Sequence, residues 1–547
     1  MGLQPGGPDG QWRQRIELKR YTPVDGAAAL SLTGADGAAY PLALGTEAIV
    51  RAVSNDGQAA VSDARLVFAG FGVTAPERGW DDYGDIDVRD KVVVVVEGEP
   101  DGELFNGDYT TNYQSAAYKA DEAFRRGAIG LVILAGERGW ARAKAGADRQ
   151  RTLTPGAADL EFVATLDDAG KASLAQAAGV DPARLTGGQD GSFKAFELTG
   201  ATLSARQSEA IDTLVTHNLL ARIEGTARPD EVIVYSAHWD HIGVGGEHVD
   251  GDDKIFNGAW DNASGTAGLI EMARAFKNGP APERTVVFLH VTAEEQGLLG
   301  SEAYAADPVY PLAKTAADIN IDMLPFTPAT RDVAVFGVGK SELEDVLGRF
   351  AAVQGRTVTG DGYPEEGFYY RSDHFNFAAG GVPALMPWSG RDFVEGGIEA
   401  GKPYYEAQMA RYYHKLTDEW RADYDFTAAL QNLDLLYRLG LTAADSTTWP
   451  AWKPRPAVPR WTPPASVSAA CSTASPVSSG ARTPLSRCSV TCVATRKPTR
   501  RRCSPWPRRS ACQWSPPTAS ASPRPPSVRC STCSPASTST RTWRARG

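Results

Sequence analysis

The chain has 547 residues, with 56 Lys and Arg against 66 Asp and Glu and a net charge of −10, which leaves room for two or three domains with large cores. Every acidic residue lies at or before Asp445, so residues 1–452 carry 39 basic and 66 acidic groups, a net of −27, and a nucleic-acid partner is disfavoured. No run of about 18 apolar residues offers a membrane span, and Met1-Gly-Leu-Gln-Pro-Gly-Gly opens in a turn-like segment with no signal peptide in view.

Residues 60–200 read as an α/β unit. Apolar runs at Ala64–Ala69, Lys91–Val96 and Ile129–Leu134 predict strands, and Ser115 to Arg126 predicts a helix ended by Gly127. This stretch holds no histidine. From about 205 strands and helices alternate. Asn218–Ile223, Glu231–Ser236 and Thr285–Val291 predict strands, and Ile319–Asp322 ends another. Ser264 to Phe276 predicts a buried helix ended at Asn278-Gly279, Ser341-Glu-Leu-Glu344 a capping box, and Ala428 to Leu439 a closing helix. Such alternation implies an α/β fold with a mostly parallel twisted sheet and helices on both faces, whose ligands gather at the carboxyl ends of the strands.

From Lys453 onward the composition collapses to Arg, Pro, Ser, Ala, Thr, Cys and Trp, with no acid and all seven cysteines of the chain. This is what a GC-rich gene yields when read in a shifted frame. Cys530-Ser-Thr-Cys533 has no later His to complete a zinc finger. Residues 453–547 are therefore expected to be a disordered basic tail and a frameshift product.

The chemistry is carried by the later half. His238, Glu294, Glu295 and Asp322 fall just at predicted strand ends, where one site would form. Imidazole and carboxylate together are the ligand set of a hydrolytic zinc site. Phe336-Gly-Val-Gly-Lys340-Ser341 imitates a P-loop but has Ala334 where the first glycine is required. Neither HExxH nor GxSxG occurs, which excludes a zincin and disfavours a serine hydrolase. His217, His248 and His290 read as ordinary core or surface residues, and His241 as at most a neighbour of a ligand.

Taken in order, His238-x-Asp240, Trp260-Asp261-Asn-Ala-Ser-Gly265, Glu294-Glu295, Asn320-x-Asp322-Met323, Ser372-Asp373-His374 and Tyr413-His414 resemble the M28 family of zinc aminopeptidases over roughly residues 205–440. The resemblance implies two Zn²⁺: one held by His238 and Asp322, the other by Glu295 and His414, with Asp261 bridging. An anion between two cations about 3.5–4 Å apart is what such a pair needs. It further implies Glu294 as general base, Asp240 as the carboxylate that orients His238, and Tyr413 as oxyanion stabiliser. Arg371 is expected at the substrate, a peptide with a free N-terminus, and His374 either lines the substrate pocket or only packs. Phe68-Ala-Gly-Phe-Gly72, Asp90–Val96 and Arg126–Val132 resemble a protease-associated (PA) domain. The expected layout is residues 1–45 as the start of the peptidase domain, 46–204 as the inserted PA-like domain and 205–452 as the rest of the peptidase. Resemblance also implies a periplasmic or secreted enzyme, and an export signal and a helix before the strand at Gln11 to Tyr21. Two alternatives share the fold: a single-zinc glutaminyl-cyclase-like acyltransferase, and a non-catalytic receptor-like ectodomain.

Overall fold

The computed structural model describes residues 1–454, apart from residues 106, 108–109, 148–150, 154–159, 190 and 246–250. The tail expected from 453 thus lies outside the described residues except for its first two. Lys453 is tied to the body: its backbone N–H donates to Lys340 O at 2.7 Å and its ammonium reaches Asp345 at 2.7 Å.

Seven strands organise the half that carries the candidate ligands: β1 (Arg13–Pro23), β2 (Phe196–Ile223), β3 (Arg228–His238), β4 (Arg284–Val291), β5 (Thr315–Asn320), β6 (Asp332–Phe336) and β7 (Ala384–Trp388). They lie side by side in the order β1-β2-β4-β3-β5-β7-β6. The central pairs β4–β3, β3–β5 and β5–β7 are parallel, and the flanking pairs are antiparallel. The chain leaves β3, lays β4 on one side of it, then returns to lay β5 on the other. That reversal is a topological switch point, and it opens a crevice at the carboxyl end of β3.

Alternation along β3 sends successive side chains to opposite faces. Ile233, Tyr235 and Ala237 pack with α1 (Ala263–Asn278), α3 (Leu343–Val353) and α6 (Thr427–Asp445). Val232 and Val234 pack with Tyr304 of α2 (Leu299–Ala306) and Phe377 of α4 (His374–Ala379). The phenol of Tyr235 donates to Leu436 O at 2.7 Å. A Cβ at Gly440 would meet the Tyr235 phenol oxygen at 1.8 Å, so only glycine lets α6 lie this close to the sheet. The expected capping box is half formed: Glu344 accepts the Ser341 N–H at 3.0 Å, but Ser341 Oγ is buried without a partner, and α3 starts at Leu343.

The earlier unit has its own sheet. Strands Gln58–Phe68, Val92–Val96, Gly130–Leu134 and Phe162–Leu166 run parallel in that order, and Ala48–Ala52 closes the edge antiparallel. Its helix Ala116–Arg125 is capped by Ser115 Oγ, which accepts the Tyr118 N–H. Two expected boundaries shift. Leu30, Leu32 and Leu42 belong to this unit's core, ahead of residue 46. Residue 204 falls inside β2, a single 28-residue strand that pairs with this sheet at its start and with β1 and β4 at its end.

Candidate metal centre

Each candidate ligand sits where an element stops. His238 is the last residue of β3. Glu294 and Glu295 lie just beyond β4, after Ala293 at a positive φ of 56°. Asp322 follows β5 by two residues, and Asp261 directly precedes the cap of α1. His414 follows α5 (Gly397–Tyr412), with Tyr413 between.

The loop before α1 is locked by its own sequence. Asn262 Oδ1 accepts the Gly265 N–H at 2.8 Å and the Met323 N–H at 3.1 Å, and its amide donates to Ile321 O at 3.0 Å. Ser264 Oγ donates to Trp260 O and accepts the Leu324 N–H. A Cβ at Gly265 would fall 2.3 Å from both Asn262 Oδ1 and Ile321 O, which explains the glycine. This web pins Asp261 against the strand end that delivers Asp322.

The side chains then converge. His238 Nε2 lies 3.2 Å from Asp261 Oδ1 and 3.3 Å from Asp322 Oδ1. His414 Nε2 lies 3.3 Å from Asp261 Oδ2 and 3.1 Å from Glu295 Oε2. The two oxygens of one carboxylate therefore face two different imidazoles. His241 also enters: its Nδ1 is 2.6 Å from Glu295 Oε1, and one ligand atom each from His241, Asp261 and Glu295 falls within 4.8 Å of the others. The same holds for His238, Asp261 and Asp322. Gly258 leaves room for His241, since a Cβ there would meet its ring at 2.7 Å.

Several expected roles take a different form. The ring Nδ1 of His238 is 3.1 Å from the backbone carbonyl of Asp240 and 3.9 Å from its carboxylate. That carboxylate instead accepts the N–H groups of Glu294 at 3.1 Å and Glu295 at 3.4 Å, so it holds the turn that carries both glutamates. Tyr413 stacks on His414 with ring centroids 3.9 Å apart, and its phenol oxygen accepts a hydrogen bond from Arg371 at 3.0 Å. Burial pushes that phenol up against the pull of Arg371, and the Asp261, Glu294 and Asp322 carboxylates push it further. Of the two places open to His374, the structure gives the packed one: it is wholly enclosed at 0 % exposure, edge-on to Tyr369, with neither ring nitrogen hydrogen-bonded. Burial drives its imidazole down to about 3, so it is a neutral packing residue.

Two further residues complete the frame: Asp418, which no local motif reveals, and Ser372, which opens the Ser372-Asp373-His374 motif. Asp418 accepts the N–H groups of Trp260 and Asp261. Ser372 donates to Asp322 Oδ2 at 2.6 Å. The first offers only a weak signal, a carboxylate four residues past His414.

Asp261, Glu294, Glu295 and Asp322 crowd one crevice, and among the described residues three of them pair with histidines rather than with Lys or Arg. Burial pushes the carboxyl of Glu294 well above its usual range, with His238 opposing and Asp322, Asp373 and Glu295 adding to the rise. Ionised carboxylates so placed need cationic partners. Imidazole nitrogen and carboxylate oxygen, gathered on both sides of Asp261, suit a pair of divalent ions of the zinc type.

The fold and this crevice define the class: an α/β protein whose imidazoles and carboxylates gather around Asp261 as candidate metal ligands. The model of Peptidase family M28 matches residues 218–437, which contain every one of these candidate ligands. Among curated proteins, the chain is similar to a mouse protein named "Aminopeptidase NAALADL1", at 31% identity over 147 residues, 26% of this chain and 17% of that protein. It is similar to a "Probable zinc metalloprotease" of Phaeosphaeria nodorum, at 33% over 116 residues, 20% of this chain and 23% of that protein. The matched segments thus span less than a quarter of these relatives. Among solved structures, an aminopeptidase from Aneurinibacillus sp. strain AM-1 aligns at 19% identity and a TM-score of 0.40, covering 82% of this chain and 85% of that one. Among the described residues, no helix is long and apolar enough to cross a membrane.

Proposed function

We propose that the chain is a di-zinc aminopeptidase of the M28 type, removing residues from the N-terminus of peptides. The observation that carries this reading is the position of Asp261, with one carboxylate oxygen toward His238 and the other toward His414. In the proposal His238 and Asp322 hold one cation and Glu295 and His414 the other, with His241 beside the second. Zinc bound there supplies Lewis acidity and a water that ionises near neutral pH.

The chain's own residues do the rest. Glu294 takes the proton of the attacking water and passes it to the departing amine nitrogen, the work of a general base that turns acid. Arg371 donates to the phenol oxygen of Tyr413. The phenol proton is then left free to point at the oxygen that gains charge as the carbonyl becomes tetrahedral. Asp240 fixes the turn of Glu294 and Glu295 through their backbone N–H groups. The surplus of carboxylates in the crevice favours a substrate that brings a free ammonium.

The unit before residue 205 is read as PA-like and as a recognition module. It has no histidine to offer, and its Thr110 N–H donates to Pro364 O at 3.3 Å, a few residues before Arg371.

The test is digestion of a peptide library with free and acetylated N-termini, with and without a chelator. Sequential loss of N-terminal residues from free peptides only, abolished by chelation, is expected. Cleavage of acetylated peptides at internal bonds would overturn the exopeptidase reading.

A further inference from the structure

Behind the candidate ligand Asp322 runs a row of polar side chains in the sheet interior. Asp318, Ser236, Asn320 and Ser372 are each at most 1 % exposed. Ser236 Oγ lies 2.8 Å from Asp318 Oδ1 and 3.0 Å from Asn320 Oδ1. Asn320 Nδ2 lies 2.7 Å from Ser372 Oγ, which lies 2.6 Å from Asp322 Oδ2.

Counting hydrogens fixes the direction of this row. The amide of Asn320 donates to Ser372, so the one hydroxyl hydrogen of Ser372 goes to Asp322. The carbonyl of Asn320 faces Ser236 and can only accept, so Ser236 spends its single hydrogen there. The 2.8 Å contact between Ser236 Oγ and Asp318 then needs a hydrogen from Asp318. Turning the Asn320 amide over would move the requirement from Asp318 to Asp322, which as a metal ligand has to be ionised. The Asn320 carbonyl would then face Ser372, which would have two acceptors and one hydrogen, leaving either the 2.7 Å or the 2.6 Å contact without one.

We propose that Asp318 is a neutral carboxylic acid, and that it is the head of a one-way chain of donors running through Ser236, Asn320 and Ser372 to Asp322. The inference rests on the metal-centre reading for its purpose. Asp322 Oδ2 is held by the last donor, while Oδ1 stays turned toward His238. Asp318 is thus a positioning residue that acts on a ligand about four residues further along the chain, through three side chains.

Its surroundings agree. The second oxygen of Asp318 is buried without a partner, a position that a full negative charge tolerates poorly. The titratable groups acting on it are Asp373, just before α4, and Tyr304 of α2. Among the described residues no cation acts on it. Burial pushes its carboxyl well above the usual range, against the pull of Ser236 and with Asp373 adding to the rise.

The test uses the full chain and infrared difference spectra at neutral pH. Asp318→Asn keeps a donor toward Ser236, so it should fold, keep the parent's zinc affinity and lose one band of a protonated carboxyl group. Ser236→Ala cuts the row and should lower zinc affinity about tenfold or more, the usual effect of losing a ligand's support. The proposal fails if Asp318→Asn removes no such band, does not fold, or loses as much zinc affinity as Ser236→Ala. It fails equally if Ser236→Ala binds zinc like the parent. Neither readout uses turnover. A parent that binds no zinc would sink the metal reading first, and the infrared band would still decide the state of Asp318.

Discussion

Asp418 accepts the backbone N–H of Asp261 at 3.0 Å, from a position 157 residues further along the chain. Its other oxygen takes the N–H of Trp260 at 2.8 Å. One buried carboxylate therefore ties the loop of the bridging candidate to the segment that delivers His414. Asp418→Ala strands two buried donors, each costing about 1–3 kcal/mol. We expect a lower melting temperature and a zinc affinity reduced about tenfold or more. Unchanged zinc binding in a titration would show that Asp261 keeps its place without this support.

Replacing Glu294 by Gln should separate binding from chemistry. Glu294 is adjacent to the candidate ligand Glu295 and, among the described residues, makes no ion pair of its own. The variant is expected to keep its zinc and to lose at least about two orders of magnitude in turnover, the usual effect of removing a general base. A zinc-replete variant with parental kcat would remove Glu294 from the mechanism.

Lys119 gives the first unit a distinctive response to pH. It is buried in the helix Ala116–Arg125, donates to Gly98 O at 2.7 Å and to Phe71 O, and burial lowers it from 10.5 to about 8, against the pull of Asp82, Glu99 and Glu97. Above about 8 the folded chain has released this proton while the unfolded chain keeps it up to about 10.5. Stability relative to Lys119→Met should therefore rise with pH across that window, by about 3 kcal/mol at most. Denaturant titrations of both proteins at several pH values would check it, and a flat difference would mean that the ammonium is not desolvated.

Much of the frame was legible from local pattern. Apolar runs marked β3, β4 and β5, and the ligands were expected at their ends because parallel strands deliver side chains to one edge. The rest depended on partners far apart in sequence. Nothing near Asp418 announces that it serves Asp261. The backbone bonds from Glu294 and Glu295 to Asp240 depend on how two strand ends meet, so a carboxylate two residues from His238 was read as that histidine's partner. The motif around His374 leaves the substrate pocket and the packing both open, and the turn into α4 decides by sending the ring inward against Tyr369. The long β2 carries no breaker where one sheet hands over to the other, so a boundary drawn from texture fell inside it.

The last described residues are tied to the body. Trp452 donates its indole N–H to Gly381 O at 3.1 Å, and Lys453 reaches Lys340 and Asp345. The sequence beyond lacks acids and nearly all large aliphatic side chains, and from that composition we expect it to be dispensable for the fold. A chain ending after Pro454 should melt with the parent and cleave peptides equally well. A lower melting temperature or lost zinc in that shortened chain would show that later residues support the fold.

A pair of zinc ions held on either side of Asp261 would show in the metal content of the protein. Emission spectrometry on the zinc-saturated full chain, after exhaustive removal of loosely held metal, should give two zinc per chain, falling to one or fewer in Asp261→Ala. One zinc in the parent would contradict the account and favour the acyltransferase alternative, and none would favour a receptor-like body without catalysis.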